Sequence, residues 1–196
     1  FGIWWDPAEH CSAWRLSCLR PEVHSERRGV EHQTMIIRPY TDQDLAEVVA
    51  LFTDSVHQIA SRSYTPEQLV IWAPPAPDLE QWRARLSGVE TLVAESGGVI
   101  AGFLSFTSNG HIEFLFTAPT FARQGVASLL YQAAMQRLTA SGVETLTTDA
   151  SLEALPFFES RGLKVSKEQT VERNGVKFRR FAMTGPSKSS NHHRSA

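Results

Sequence analysis

Leu45, Val48, Val49, Phe52 and Val56 recur at i, i+3, i+4, i+7 and i+11 in an otherwise polar stretch, a spacing that predicts a helix with one buried face. "MIIRPY" just before it reads as a short strand, and Thr41 with Asp44 three residues on is a variant of the capping box at the helix start. In "SRSYTPEQLVIWAPPAPDLEQWRARL", Pro66 opens a short helix, Pro74, Pro75 and Pro77 break it, and a second short helix is expected around Trp82. From Val89 the period changes to two. "VETLVAE", a Gly97-Gly98 turn and "VIAGFLSFT" make a hairpin, and "HIEFLFTAP" alternates into a further strand. Unbroken alternation puts Ile112, Phe114 and Phe116 on one face of that strand and His111, Glu113, Leu115 and Thr117 on the other.

Past Pro119 the helical period returns in Val126, Leu129, Leu130 and Ala133. A strand "VETLTTDA", a helix through "LEALPFFESRG", and the strands "KVSKEQTVER" and "VKFRRFAMT" joined at Asn174-Gly175 complete the pattern. The order β, α, α, three consecutive strands, α, β, α, β, β implies an α/β fold. Its sheet is mostly antiparallel, with a parallel pair where the long helix crosses over.

The two ends lack such patterning. Residues 1–34 show no sustained period of 2 or 3.6 and read as a non-native or disordered N-terminal tail. "GPSKSSNHHRSA", residues 185–196, is Ser-rich and polar and reads as a disordered C-terminal tail. A single domain over 35–184 remains. The spacing of His10, Cys11, Cys18, His24 and His32 matches no compact zinc-ligand pair, and no metal is expected. Cys11 and Cys18 are the only cysteines, so the domain has no thiol nucleophile.

A chain of 196 residues with 42% hydrophobic residues suffices for one well-formed core. Its formal charge of -2 argues against a nucleic-acid partner held by bulk electrostatics. No apolar run approaches the ~18 residues a membrane span requires. No membrane partner is therefore expected, and the cytoplasm is the expected location.

The segment "APTFARQGVASLLYQ" begins its helix on Arg123, Gln124 and Gly125, none of them a leading capping residue. A glycine there lets backbone amides converge, and the first four N–H groups of a helix have no internal acceptor. With about half a positive charge from the helix dipole, the turn suits a pyrophosphate bound through main chain. The spacing is neither G-x-x-x-x-G-K-[ST] nor G-x-G-x-x-G. Taken alone, "RQGVAS" is equally a plain helix start.

The succession "HIEFLFTAPTFARQGVASLL" then "LTTDASLEALPFFESRGLKV" resembles the GNAT superfamily of acetyl-CoA-dependent N-acetyltransferases. "SYTPEQLVIWA", "TDASLEALPFFESRGL" and the closing "FAM" resemble its YafP-like branch of bacterial enzymes. The likeness runs from Met35 to about Thr184. It implies a sheet of about seven strands flanked by about four helices, splayed between the strands at 111–117 and 143–149, with acetyl-CoA as cosubstrate in the gap. Main chain at Phe116, Thr117 and Ala118 would pair with the pantetheine arm like an added strand. The amides of Gln124, Gly125, Val126, Ala127 and Ser128 would carry the pyrophosphate. Ala122 stands where relatives have Gln or Arg, a contact Arg123 would replace. Ser151 stands where many relatives have Asn, and Phe158 where they have the Tyr that protonates the departing thiolate. That proton would then come from water, another side chain, or no acid at all.

For the amine proton, Glu113 is the best-placed carboxylate, acting through one water, with His111 on the same face as runner-up. The plainer reading, a solvated strand face, stands beside it. Backbone N–H groups near Leu115 and Phe116 would polarise the thioester carbonyl. His57, Arg62, Tyr64, Trp72 and Trp82 offer groups for a small amine acceptor, against the reading of the tryptophans as core anchors. The expected activity is acetyl transfer to a primary amine of a small molecule by direct attack in a ternary complex. The alternatives are a non-catalytic acyl-CoA-binding module and a protein N-acetyltransferase. A homodimer is allowed for as the assembly.

Overall fold

The computed structural model describes residues 34–187. The N-terminal tail expected over 1–34 lies outside them except for Thr34, as does the C-terminal tail beyond Ser187.

β1 (Ile36–Pro39) leads through a short 3-10 turn (Asp42–Asp44) into α1 (Leu45–Gln58). The Asp44 carboxylate anchors that turn by accepting from Thr41 N–H (2.7 Å), Thr41 Oγ1 (3.0 Å) and the Arg38 guanidinium (2.8 Å). α2 (Pro66–Trp72) and α3 (Leu79–Ser87) are both short. Thr65 caps the first and Asp78 the second, and the prolines between them keep them apart. Among the described residues three helices therefore precede the hairpin, each at a place the spacing indicates although the expected order counted two, and five α-helices form where about four were expected.

β2 (Glu90–Ser96), β3 (Val99–Phe106) and β4 (His111–Thr117) follow as an antiparallel meander. α4 (Val126–Ala140) then crosses over to β5 (Thr145–Ala150), which lies parallel to β4. α5 (Leu155–Ser160) leads to the hairpin of β6 (Lys164–Arg173) and β7 (Val176–Pro186). The seven strands form one sheet in the order β1-β2-β3-β4-β5-β7-β6. β7 continues through Gly185 and Pro186, and Ser187 bonds to Glu144 and Val143 carbonyls through its N–H (2.9 Å) and Oγ (2.5 Å). The strand thus runs past position 185, its ladder against β5 satisfying the backbone groups of Gly185 and Pro186.

The sheet carries a core on each face. Leu130, Ala134 and Leu138 of α4 and Phe158 of α5 pack on Leu104, Ile112, Leu146 and Met183. On the opposite face Val48, Val49, Phe52 and Val56 of α1 join Trp82, Phe103, Phe114, Phe116 and Phe178. Completely burying a Leu or Phe side chain contributes roughly 1.5–3 kcal/mol, so these two clusters hold the helices on the sheet. Gly102 permits a close approach of β3 to β4 and α4: a Cβ there would lie 2.8 Å from Phe116 O and 2.9 Å from Val126 Cγ1.

The alternation expected for β4 is broken once. Phe106 faces Ile112 and Ser105 faces Phe114, so Glu113 is an extra residue in a β-bulge. Ile112 consequently joins the α4 core, with Leu115, while Phe114 and Phe116 join the α1–α3 core. The shared face expected for Ile112, Phe114 and Phe116 is thus corrected by one inserted residue.

Candidate active site

Among the described residues the β4–β5 ladder consists of His111↔Thr147 and Ile112↔Thr148, after which the strands part. β3 continues to accompany β4 as far as Thr117. Ala118 N–H bonds Ala101 C=O at 2.9 Å. Antiparallel alternation then turns the backbone groups of Phe116 and Phe114 toward β3 and those of Leu115 and Thr117 toward the fork. Of the main-chain stretch expected at Phe116 to Ala118, Thr117 is the residue so oriented. An open strand edge of this kind can take up an extended amide-bearing chain.

At the far end of β4, Pro119–Phe121 forms a 3-10 turn, and Arg123 (φ 65°) and Gly125 (φ 84°) both take left-handed backbone. Gly125 is the N-cap of α4 without a side-chain bond, and a Cβ on it would meet nothing within 4 Å. The α4 ladder starts with Leu129 N–H to Gly125 C=O (3.1 Å), which leaves the amides of Val126, Ala127 and Ser128 without a helical acceptor. Arg123, Gln124 and Gly125 are exposed, Ala127 and Ser128 half-buried, and the Val126 side chain lies in the core. Gln124 is drawn aside, its Nε2 donating to Thr120 C=O at 2.8 Å. This geometry, open space over left-handed glycine beside unbonded amides, fits a pyrophosphate.

Arg161 was not singled out by sequence spacing. Its Nη2 donates to Ser128 Oγ at 2.5 Å, and its guanidinium lies 5.2 Å from the Phe157 ring centroid and 5.9 Å from that of Tyr131. It thereby ties the end of α5 to the first turn of α4. Burial pushes the Tyr131 phenol up to about 12, against the opposing charge of Arg161. Ser151 is buried, its Oγ accepting Ala154 N–H at 3.3 Å near the start of α5. Phe158 is 0% exposed, edge-on to both Tyr131 (6.4 Å) and Phe157 (5.4 Å). Its ring serves the core.

Glu113 is 7% exposed, and its charge reaches Arg85 of α3. The Arg85 guanidinium lies 4.7 Å from the Phe114 ring centroid and 4.9 Å from that of Trp82. Burial pushes the Arg85 pKa down and Glu113 opposes that shift. The bulge therefore leaves Glu113 on the α1–α3 side of the fork. His111 shares that side, its Nδ1 meeting Thr147 Oγ1 at 2.9 Å, while its Nε2 is buried without a hydrogen-bond partner.

Of the five residues suggested for the acceptor, His57, Tyr64 and Trp72 come together, but in packing contacts. His57 donates from Nε2 to Ala73 C=O at 2.7 Å. Tyr64 is buried, stacks edge-on with Trp72 at 5.0 Å, and accepts Leu152 N–H on its hydroxyl at 3.1 Å. They join α1, α2 and the β5–α5 connection. Trp82 is a core anchor against Phe52 at 4.7 Å. Beside the fork, along with Glu113 and His111, stand Asp149 and Arg180, joined at 3.2 Å. The alternation of "TTDA" was the available signal for Asp149, but Arg180 sits on a strand that only the fold brings alongside.

The family model described as "Acetyltransferase (GNAT) domain" matches residues 60–184. The chain is 37% identical over 147 residues to the uncharacterized N-acetyltransferase YafP of Escherichia coli (strain K12), covering 75% of this chain and 93% of that protein. A GCN5-related N-acetyltransferase structure from Rhodopseudomonas palustris, also titled as a class-II aminotransferase, superposes with a TM-score of 0.74 at 34% identity, covering 81% of this chain and 99% of that one. The PaiA N-acetyltransferase of Thermoplasma acidophilum, in complex with coenzyme A, shares the fold with a TM-score of 0.63 at 15% identity, covering 78% and 99%.

Proposed function

The chain belongs to the GNAT acetyltransferase family, and on that premise we propose that it transfers acetyl from acetyl-CoA to a primary amine of a small molecule by direct attack in a ternary complex. The observation that carries this reading is the fork: an unpaired β4 edge leads straight to the open, left-handed Gly125 turn. Leu115 and Thr117 main chain would hold the pantetheine arm, and the amides of Val126, Ala127 and Ser128 the pyrophosphate, with Arg123 at the rim.

Acetyl-CoA supplies the acyl group as a thioester. An N–H from the β4 edge stabilises charge developing on its carbonyl oxygen. The amine nitrogen forms the new C–N bond as the C–S bond breaks. Glu113 takes the amine proton through one water, and the departing sulfur takes its proton from solvent, since the fully buried Phe158 offers none. His111 has its Nδ1 engaged by Thr147 Oγ1 and its Nε2 without a partner, so it stays the runner-up as base. Holding both reactants in one fork supplies much of the acceleration.

The test is thiol release from acetyl-CoA over a panel of amines, with acetyl-CoA binding measured by calorimetry. Turnover on small amines supports the reading. Turnover confined to peptide or protein amines shifts it to a protein N-acetyltransferase, and binding without turnover on any amine leaves a non-catalytic module.

A further inference from the structure

Ile112 and Thr148 are the last pair before the fork, so Glu113 and Asp149 are the next residue on each strand. One carboxylate stands on either lip. Leu146 and Ala150 of β5 and Phe181 and Met183 of β7 belong to the α4 core. Alternation therefore turns Thr147 and Asp149, with Arg180 and Ala182, to the opposite face. It is the face on which His111 meets Thr147 and Phe178 enters the α1–α3 core. The same face carries Glu113.

Arg180 is held in place there. Its Nε donates to Gln169 Oε1 at 2.7 Å, and its Nη1 lies 3.2 Å from Asp149 Oδ2. The pair is sheltered, at 17% and 20% side-chain exposure, whereas the neighbouring Arg179–Glu168 pair is 54% and 52% exposed on the outer surface. A guanidinium has five N–H donors in a planar fork that matches a carboxylate. The hydrogen bond and the ion pair above leave donors over, in a position solvent still reaches.

We propose that Asp149 and Arg180 form the recognition site for the acceptor, and that the acceptor is an α-amino acid: Arg180 binds its carboxylate while Asp149 and Glu113 face its amino group. The inference rests on the direct-transfer reading above. An ion pair with its charges 3.2 Å apart is complementary to a zwitterion whose own charges are comparably close. A diamine is disfavoured, since its second ammonium would meet Arg180 without a compensating anion.

The experiment compares kcat/KM for matched acceptors, each α-amino acid against the amine left by its decarboxylation, in the wild type and in Arg180→Met. The wild type is expected to prefer the carboxylate-bearing member. Arg180→Met should reduce that preference by about 10- to 100-fold, the range for losing a hydrogen bond to a charged group. Arg180→Lys, which retains charge without the planar fork, should fall between. Acetyl-CoA binding by calorimetry reports that each variant is folded. If Arg180→Met fails that check, the Arg180→Lys preference is decisive, and a value equal to wild type overturns the proposal. An absent preference in the wild type, or equal slowing of both members in Arg180→Met, also overturns it. Turnover of decarboxylated amines alone leaves acetyl transfer standing while removing the amino-acid assignment. No thiol release from any amine, with acetyl-CoA bound, removes both.

Discussion

Thr148 Oγ1 donates a 3.0 Å hydrogen bond to the Ile112 carbonyl, at the last register where β4 and β5 still pair. Thr148 is 1% exposed, so this bond fastens the base of the fork from inside the protein. Thr148→Val keeps the shape and removes the donor, leaving a buried carbonyl with one partner fewer. A loss of about 1–3 kcal/mol is expected by denaturant titration. A change within a few tenths of a kcal/mol would mean that the bond does not help hold the fork.

Glu113→Gln retains the size of the bulge residue and removes its proton acceptor. Turnover at neutral pH should fall by about 10²-fold or more with chemistry rate-limiting. Raising the pH should recover much of the loss, because more amine then arrives unprotonated. Wild-type turnover at pH 7 with an unaltered pH profile would transfer the role to proximity alone or to His111.

Gly125→Asp sets a carboxylate beside the amides assigned to the pyrophosphate and should weaken coenzyme A binding at least about 10-fold, as a like charge at an anion site costs several kcal/mol. Gly125→Ala separates charge from backbone strain. At φ 84° it should cost about 1–2 kcal/mol of stability, and its effect on affinity should be the smaller of the two. Calorimetric titration that finds equal affinity in wild type and Gly125→Asp would remove the pyrophosphate from this turn.

Hydrogen bonding to Arg38, aided by Thr41, holds the Asp44 carboxyl down at about 2, with burial opposing. Its folded pKa thus lies below its unfolded value. The contribution is fully present above about pH 4–5 and is lost as pH falls toward 2. Arg38 is 32% exposed, and allowing for screening by solvent leaves about 1–2 kcal/mol at pH 7. Asp44→Asn should lose that amount at neutral pH and converge with wild type near pH 2. Parallel stability-versus-pH curves for the two proteins would refute the assignment.

The periods along the chain were enough to place the strands, the long α4 helix and the Gly125 turn, because each depends on neighbours within a few residues. Thr41 with Asp44 is likewise local, and its cap forms as spaced; Thr65 with Gln68, three residues apart, makes the same kind of cap on α2. Periodicity also says which side of a strand is apolar, but not which strand lies beside it. The bulge at Glu113 exists only because β4 has one residue more than β3 between matched pairs, so Ile112 moved to the other face from Phe114. Tyr64 has the chemistry of an acceptor contact, yet its hydroxyl is occupied by Leu152 N–H, 88 residues away. Asp149 and Arg180 meet across the β5–β7 pairing, and Arg161 reaches Ser128 only through the packing of α5 beside α4. Local pattern sets conformation, whereas contact between distant segments sets which polar groups are already satisfied and which still face the fork.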